Sequence, residues 1–253
     1  MSVFAGVEQS IPEYALAKHQ QQTQANVDLF NASEKGNLPS VKAAVANGGT
    51  PHFFYHPEDQ KNSLHVASQG GHLEVVKYLL SVGATLDVKT GMDQSSSLLL
   101  AAQGGHLDVL TFLLSAGADV NSRNMYGNSS LHQASRLGRF DIIDTLLANK
   151  ASINITNNKM STPLHFMCYA EEKNVNSPAD VTRFINAGAN VNAVDSRGVT
   201  PLLAACTSGR LDLVQVLITE GCDSSVKDSS GRSASEVAQF FGHADVASYL
   251  TSS

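Results

Sequence analysis

The nine histidines and three cysteines are the side chains of this sequence best suited to chemistry. Imidazoles grouped with thiols or carboxylates hold metals, and a thiolate beside an imidazole is a nucleophile. Spacing argues against both uses. His65, His132 and His165 recur in one phrase: Ser63-Leu64-His65, Ser130-Leu131-His132 and Pro163-Leu164-His165. His72, His106 and His243 recur in another, each directly after a Gly. His19, His52 and His56 stand outside these phrases; His52 and His56 bracket Phe53-Phe54-Tyr55, with no Cys nearby to complete a metal site. Cys168 and Cys206 share a small-residue position, and Cys222 stands where Ala84, Ala118, Ala151 and Ala189 stand elsewhere, so each thiol reads as a small packed side chain. Asp108, Asp141 and Asp212 share a helix-start position, where a carboxylate complements the helix dipole. No phosphate-cradling glycine loop, nucleophile elbow or zinc-protease motif occurs. The sequence therefore assigns no catalytic residue, no metal and no cofactor.

These phrases recur because the chain is periodic. Gly71-His72-Leu73-Glu74-Val75-Val76 returns from Gly105, Gly138, Gly209 and Gly242, at steps of 34, 33, 71 and 33 residues. After each such Gly, apolar residues fall at helical spacing, as at Leu107, Leu110, Leu113 and Leu114. These helices are expected to end at Gly83, Gly117, Gly188 and Gly221, where a residue free to take a positive φ can close them. Each unit reads as two short helices and a turn, too small to bury its apolar face alone, so neighbours must stack.

Composition sets the outer bounds. The 253 residues are 42% apolar and 16% charged, which is ordinary globular material. The net charge of −6 argues against a nucleic-acid surface. No apolar run exceeds five residues, against the roughly 20 that a membrane helix needs. Few cysteines and no basic-apolar leader predict a cytoplasmic protein, with the nucleus as a second compartment.

The period, with Ser161-Thr162-Pro163-Leu164-His165 and Gly198-Val199-Thr200-Pro201-Leu202, resembles the ankyrin repeat family. The resemblance implies an all-α solenoid of helix-turn-helix units joined by short β-hairpin loops. It covers 57–253 as six units: 57–90, 91–123, 124–156, 157–194, 195–227 and 228–253, the last a C-terminal cap. Residues 25–56 resemble a diverged N-terminal cap, and 1–24 read as a tail. The unit 157–194 carries five extra residues within 171–178, with Pro178 suited to the first turn of its second helix. Hairpins with Gln60, Gln94 or Met160 in place of the turn Gly are expected to be less regular. The resemblance also implies that the recurrent histidines bridge backbone groups, and that Asn121, Asn154 and Asn192 match a position that asparaginyl hydroxylases modify.

The resemblance places partner contacts at the hairpin tips and the inner face of each first helix. The positions chosen there are Met92, Asp93, Arg123, Met125, Tyr126, Arg136, Lys159, Tyr169, Arg197 and Arg232. Acids lead at the start of this row (Glu58, Asp59, Asp93), and five bases follow: Arg123, Arg136, Lys159, Arg197 and Arg232. Arg with Tyr is the composition of interface hot spots. The expectation is a monomeric, non-enzymatic adaptor binding a protein partner that carries an acidic segment, with neither nucleic acid nor membrane involved. The alternative is an assembly chaperone or inhibitor of a larger complex, similar to stand-alone ankyrin proteins that cap a proteasomal ATPase or a kinase.

Overall fold

The computed structural model describes residues 13–54, 60–170 and 176–252, with side chains from Gln20 onward. Among them are fourteen helices, arranged as seven successive pairs. The pairs are α1 (Glu13–Glu34) with α2 (Leu38–Ala46), α3 (Ser63–Gln69) with α4 (Leu73–Ser81), and α5 (Ser97–Gly104) with α6 (Leu107–Ser115). They continue with α7 (Ser130–Arg136) and α8 (Phe140–Ala148), then α9 (Pro163–Cys168) and α10 (Pro178–Asn186). Last come α11 (Pro201–Thr207) with α12 (Leu211–Thr219), and α13 (Ala234–Phe240) with α14 (Ala244–Ser252).

Local chemistry sets where the helices start. Four first helices, α3, α5, α11 and α13, open at an extended Asn, Ser or Thr whose side-chain oxygen accepts from a backbone N–H three residues on, as Asn62 Oδ1 accepts from His65 N at 3.0 Å. In three units the histidine completes a capping box, its Nδ1 accepting from Asn62 N, Ser129 N or Thr162 N at 3.1 Å. Pro178 opens α10 behind a Ser177–Asp180 capping box.

The second helices bury one face each: Val75, Val76 and Leu79 in α4, Val109, Leu110 and Leu113 in α6, Leu213, Val214 and Leu217 in α12. With Leu64, Leu98, Leu131, Leu164 and Leu202 from the first helices they form one core cluster running from Leu29 to Val246. It grows by stacking neighbours, which is why no long-range pairing is needed.

Three features differ in detail from the sequence reading. The hairpin loops contain no regular strand among the described residues, only the isolated bridges Lys89–Ser96 and Arg123–Ser129. Their tips bond along the array instead: Met125 N to Asp93 O, Asn158 N to Tyr126 O, Ser196 N to Lys159 O and Ser229 N to Arg197 O, at 2.8–3.0 Å. Met160 (φ 59) holds the same left-handed turn as Gly127 (φ 77), since Met160 N bonds Asn157 O just as Gly127 N bonds Asn124 O, both at 2.9 Å, whereas Gln60 (φ 42) and Gln94 (φ 57) share the positive φ alone. Finally, the tail-to-cap boundary drawn at residue 24 falls inside α1. Residues 20–24 are helical but exposed, and Ala25 is the first buried residue among the described side chains. Residues 1–12 of the tail, Glu58 and Asp59, and residues 171–175 of the insertion lie outside the described residues.

Candidate functional site

The recurrent histidines are consumed by structure. His65, His132 and His165 are fully buried, and their Nε2 atoms bond Val88 O, Ser161 O and Val199 O at 2.8, 3.1 and 3.0 Å. Burial pushes all three imidazoles down, His132 to about 4, so near neutral pH they are uncharged. His72, His106 and His243 reach back one unit, bonding Glu34 O, Gln69 O and Thr207 O at 2.9–3.0 Å. Burial pushes the Cys206 thiol up to about 12 and Cys222 up to about 11, and pushes Cys168 upward as well. None has the depressed pKa of a reactive thiol. His52 touches Thr85 Oγ1 at 3.3 Å, while the side chains of His19 and His56 lie outside the described residues. Asn121, Asn154 and Asn192 use Oδ1 to accept Ser152 N, Asn190 N and Asp223 N at 2.8–2.9 Å, each linking its unit to the next.

The hairpin tips are built by a side chain the sequence reading passed over. Asn124, Asn157, Asp195 and Asp228 each accept two backbone N–H groups, two and four residues ahead. The signal was present: an Asn or Asp three residues before the turn glycine or its substitute. In the unit 91–123 that position is Gly91, and Asp93 takes over. Its carboxylate accepts from Thr90 Oγ1, Ser95 N and Ser95 Oγ. Although burial acts to raise it, these bonds hold its pKa below the usual carboxylate value. Asp93 is therefore committed to its own turn.

Four of the ten positions chosen from sequence converge. Tyr126, Lys159, Tyr169 and Arg197, with Phe166, Asn158 and neighbouring turn residues, line a recess of about 320 Å³ between three successive hairpin tips and α9. Phe166 is anchored edge-on against the buried His132 ring, with centroids 5.1 Å apart. Tyr169 accepts a 2.8 Å bond from Arg197 Nη2, and burial raises its pKa, so its phenol stays protonated. Met92, Met125 and Met160 stand exposed at three consecutive tips, each at least half accessible.

The row of bases is weaker than its count. Arg197 is held by Asp195, whose side chain is fully buried, at 3.2 Å, and Arg232 by the nearly buried Asp228 at 2.7 Å. Arg232 also lies 4.6 Å over the ring of Phe240. Arg123 donates to Thr156 O at 3.0 Å and Arg136 to Gln133 Oε1 at 3.4 Å, both neutral acceptors. Among the described residues, Arg123, Arg136 and Lys159 have no carboxylate within ion-pair distance, which leaves three uncompensated charges where five were expected.

Comparison with known proteins agrees with this architecture. The family model for ankyrin repeats (3 copies) matches residues 29–124, 87–157, 131–228 and 164–253. The ankyrin repeat domain of human ASB11 superposes with a TM-score of 0.76 at 25% identity, covering 88% of this chain and 96% of that one. Tyrosine-protein kinase HTK16 of Hydra vulgaris is 36% identical over 93 residues, 37% of this chain but 12% of that protein. Notch-regulated ankyrin repeat-containing protein B of Danio rerio is 37% identical over 65 residues, 26% of this chain and 59% of that protein. The chain thus spans less than two thirds of either relative, and its match to the kinase is confined to repeats. No helix among the described residues is long and apolar enough to cross a membrane. Ankyrin repeats are in general protein-interaction modules rather than catalysts, and with family matches from residue 29 to residue 253 this chain belongs to the ankyrin repeat family.

Proposed function

We propose that the chain is a non-enzymatic, monomeric, cytoplasmic adaptor that holds a protein partner along the face formed by its hairpin tips and first helices. One observation carries this reading: aromatic residues and the uncompensated Lys159 converge on one recess, at Tyr126, Phe166 and Tyr169. Buried aromatics supply contact area at low conformational cost, and exposed bases steer an acidic segment into register. Single exposed charges contribute only about 0.2–1 kcal/mol each, so the rigid array matters more than any one of them.

The test is paired capture from an extract of the source cells. The wild-type chain and an Arg136→Glu/Tyr126→Ala variant serve as baits, with matched melting curves. Proteins held by the first and lost by the second support the reading. Identical sets from both baits count against this face as the interface. For a partner so found, affinity should fall as salt rises, since exposed charges are screened over about 8–10 Å at moderate ionic strength.

A further inference from the structure

We infer that the recess between Tyr126, Phe166 and Tyr169 is a side-chain socket for an extended acidic peptide. It takes one large apolar side chain and, at its rim, a carboxylate from a neighbouring peptide residue. The inference rests on the interaction function proposed above and specifies the partner's chemistry.

Size comes first. About 320 Å³ is at the floor of the roughly 300–1,000 Å³ typical of small-molecule sites, room for one bulky side chain and its backbone. The walls select its type. Phe166 is pinned against His132, and Tyr169 is tied through Arg197 to the buried Asp195, so both aromatic faces are fixed before anything binds. Fixed walls spare the ordering entropy that a mobile surface would lose on binding.

The rim selects charge. Arg197 already spends Nη2 on Tyr169 Oη and Asp195. Tyr169 accepts that bond, and among the described residues nothing accepts its own proton. The Lys159 ammonium has no acceptor among them either, since Lys159 takes part only through its backbone N and O. Asn157 Nδ2 donates to Asn128 Oδ1 at 2.9 Å, and Asn157 Oδ1 is filled by the turn. Two unused donors, an ammonium and a phenol, therefore line the same recess, and the acceptor that answers both is a carboxylate. Arg136 stands one unit earlier at the position Tyr169 holds in its own unit, and extends the positive edge for a second acid.

Random peptides of ~12 residues displayed on phage, panned against the full chain, test this directly. Enrichment of an aromatic or long aliphatic residue with Asp or Glu close by in sequence is expected. A selected peptide should lose about tenfold in affinity to Lys159→Glu and regain it when its own acid is changed to Lys. Tyr169→Phe should weaken it too, while Lys42→Ala, over the Tyr78 ring on another face, should leave it unchanged. Chemical-shift mapping supplies the location. Peptides without an acid, peptides indifferent to Lys159→Glu, or no enrichment over an empty surface would each overturn the socket. If the peptides map to other hairpin tips or first helices, the adaptor reading stands and the socket falls. If they map to the second helices, both fall.

Discussion

His132 shows how a residue type suited to catalysis becomes a structural element with a measurable signature. Its ring is fully buried, its Nδ1 caps α7 and its Nε2 bonds Ser161 O. Burial lowers its pKa from 6.5 to about 4; the bond to Ser161 O opposes the shift, and the charges of Arg123 and His165 add to it. The unfolded chain therefore binds the proton more readily than the folded one. Stability is complete above pH 6.5 and is lost as pH falls from there toward 4. From about pH 7.5 to about pH 5, His132 alone should remove roughly 2 kcal/mol, and His65 and His165 act in the same direction. Denaturant melts at the two pH values check this, and His132→Gln should reduce the difference. Equal stability at both would refute it. Met160 carries a second residue-scale prediction. It holds φ 59, where a Cβ is strained by roughly 1–2 kcal/mol, yet it is 56% exposed and packs no core. Met160→Gly should stabilise by roughly 0.5–1 kcal/mol after the added unfolded-state entropy, and a lower melting temperature would contradict this.

Between elements, the closest fits are where helix turns meet the next unit. Gly71 (φ 76) closes the turn between α3 and α4, and a Cβ built there would lie 2.3 Å from His106 Nδ1. Gly83 (φ 95) has equal backbone need but nothing within 4 Å. Both Gly→Ala changes strain the backbone, but only Gly71→Ala must also displace the ring that bonds Gln69 O. Gly71→Ala should therefore be the worse by roughly 1–3 kcal/mol, and equal melting curves would show that the ring moves freely. These glycines also show what the sequence discloses. Period, helix pairs and buried faces were legible because each repeats and the eye averages over units. Tyr126, Lys159, Tyr169 and Arg197 were legible as variable positions at tips and inner faces, but not as one recess, because curvature and loop reach set that convergence. The pairing of Arg197 with Asp195, and of Arg232 with Asp228, was hidden for a related reason. The acids sit at the turn-building position, which reads as local geometry until the side chains are placed.

Across the molecule, a linear stack is only as cooperative as its weakest junction, since each unit holds mainly its neighbours. The insertion makes the junction after α9 unusual. Asn176 (φ 60) takes the place before the second helix that Gly71, Gly105, Gly138 and Gly209 hold in other units. Its Nδ2 donates to Ser135 O and Met167 O at 3.0 and 3.1 Å. Its carbonyl accepts from Arg210 Nη2 at 2.7 Å. Arg210, 1% exposed, is fixed in turn by two bonds to Asp212, at 2.9 and 2.8 Å. Units three, four and five are thus tied through Asn176, where a ring reaching one unit back serves at His106 or His243. Removing a buried, bonded arginine leaves its acceptors without a donor, so Arg210→Ala should destabilise by roughly 2–4 kcal/mol. The loss falls on one junction, so α11 to α14 should then lose amide-exchange protection before α3 to α8. Arg183→Ala is the matched control: its pair with Asp144 is about half exposed on both sides, worth about 0–1 kcal/mol. If Arg210→Ala opens the stack no differently from Arg183→Ala, the insertion is held by its own turns and Asn176 is not the tie between the two halves.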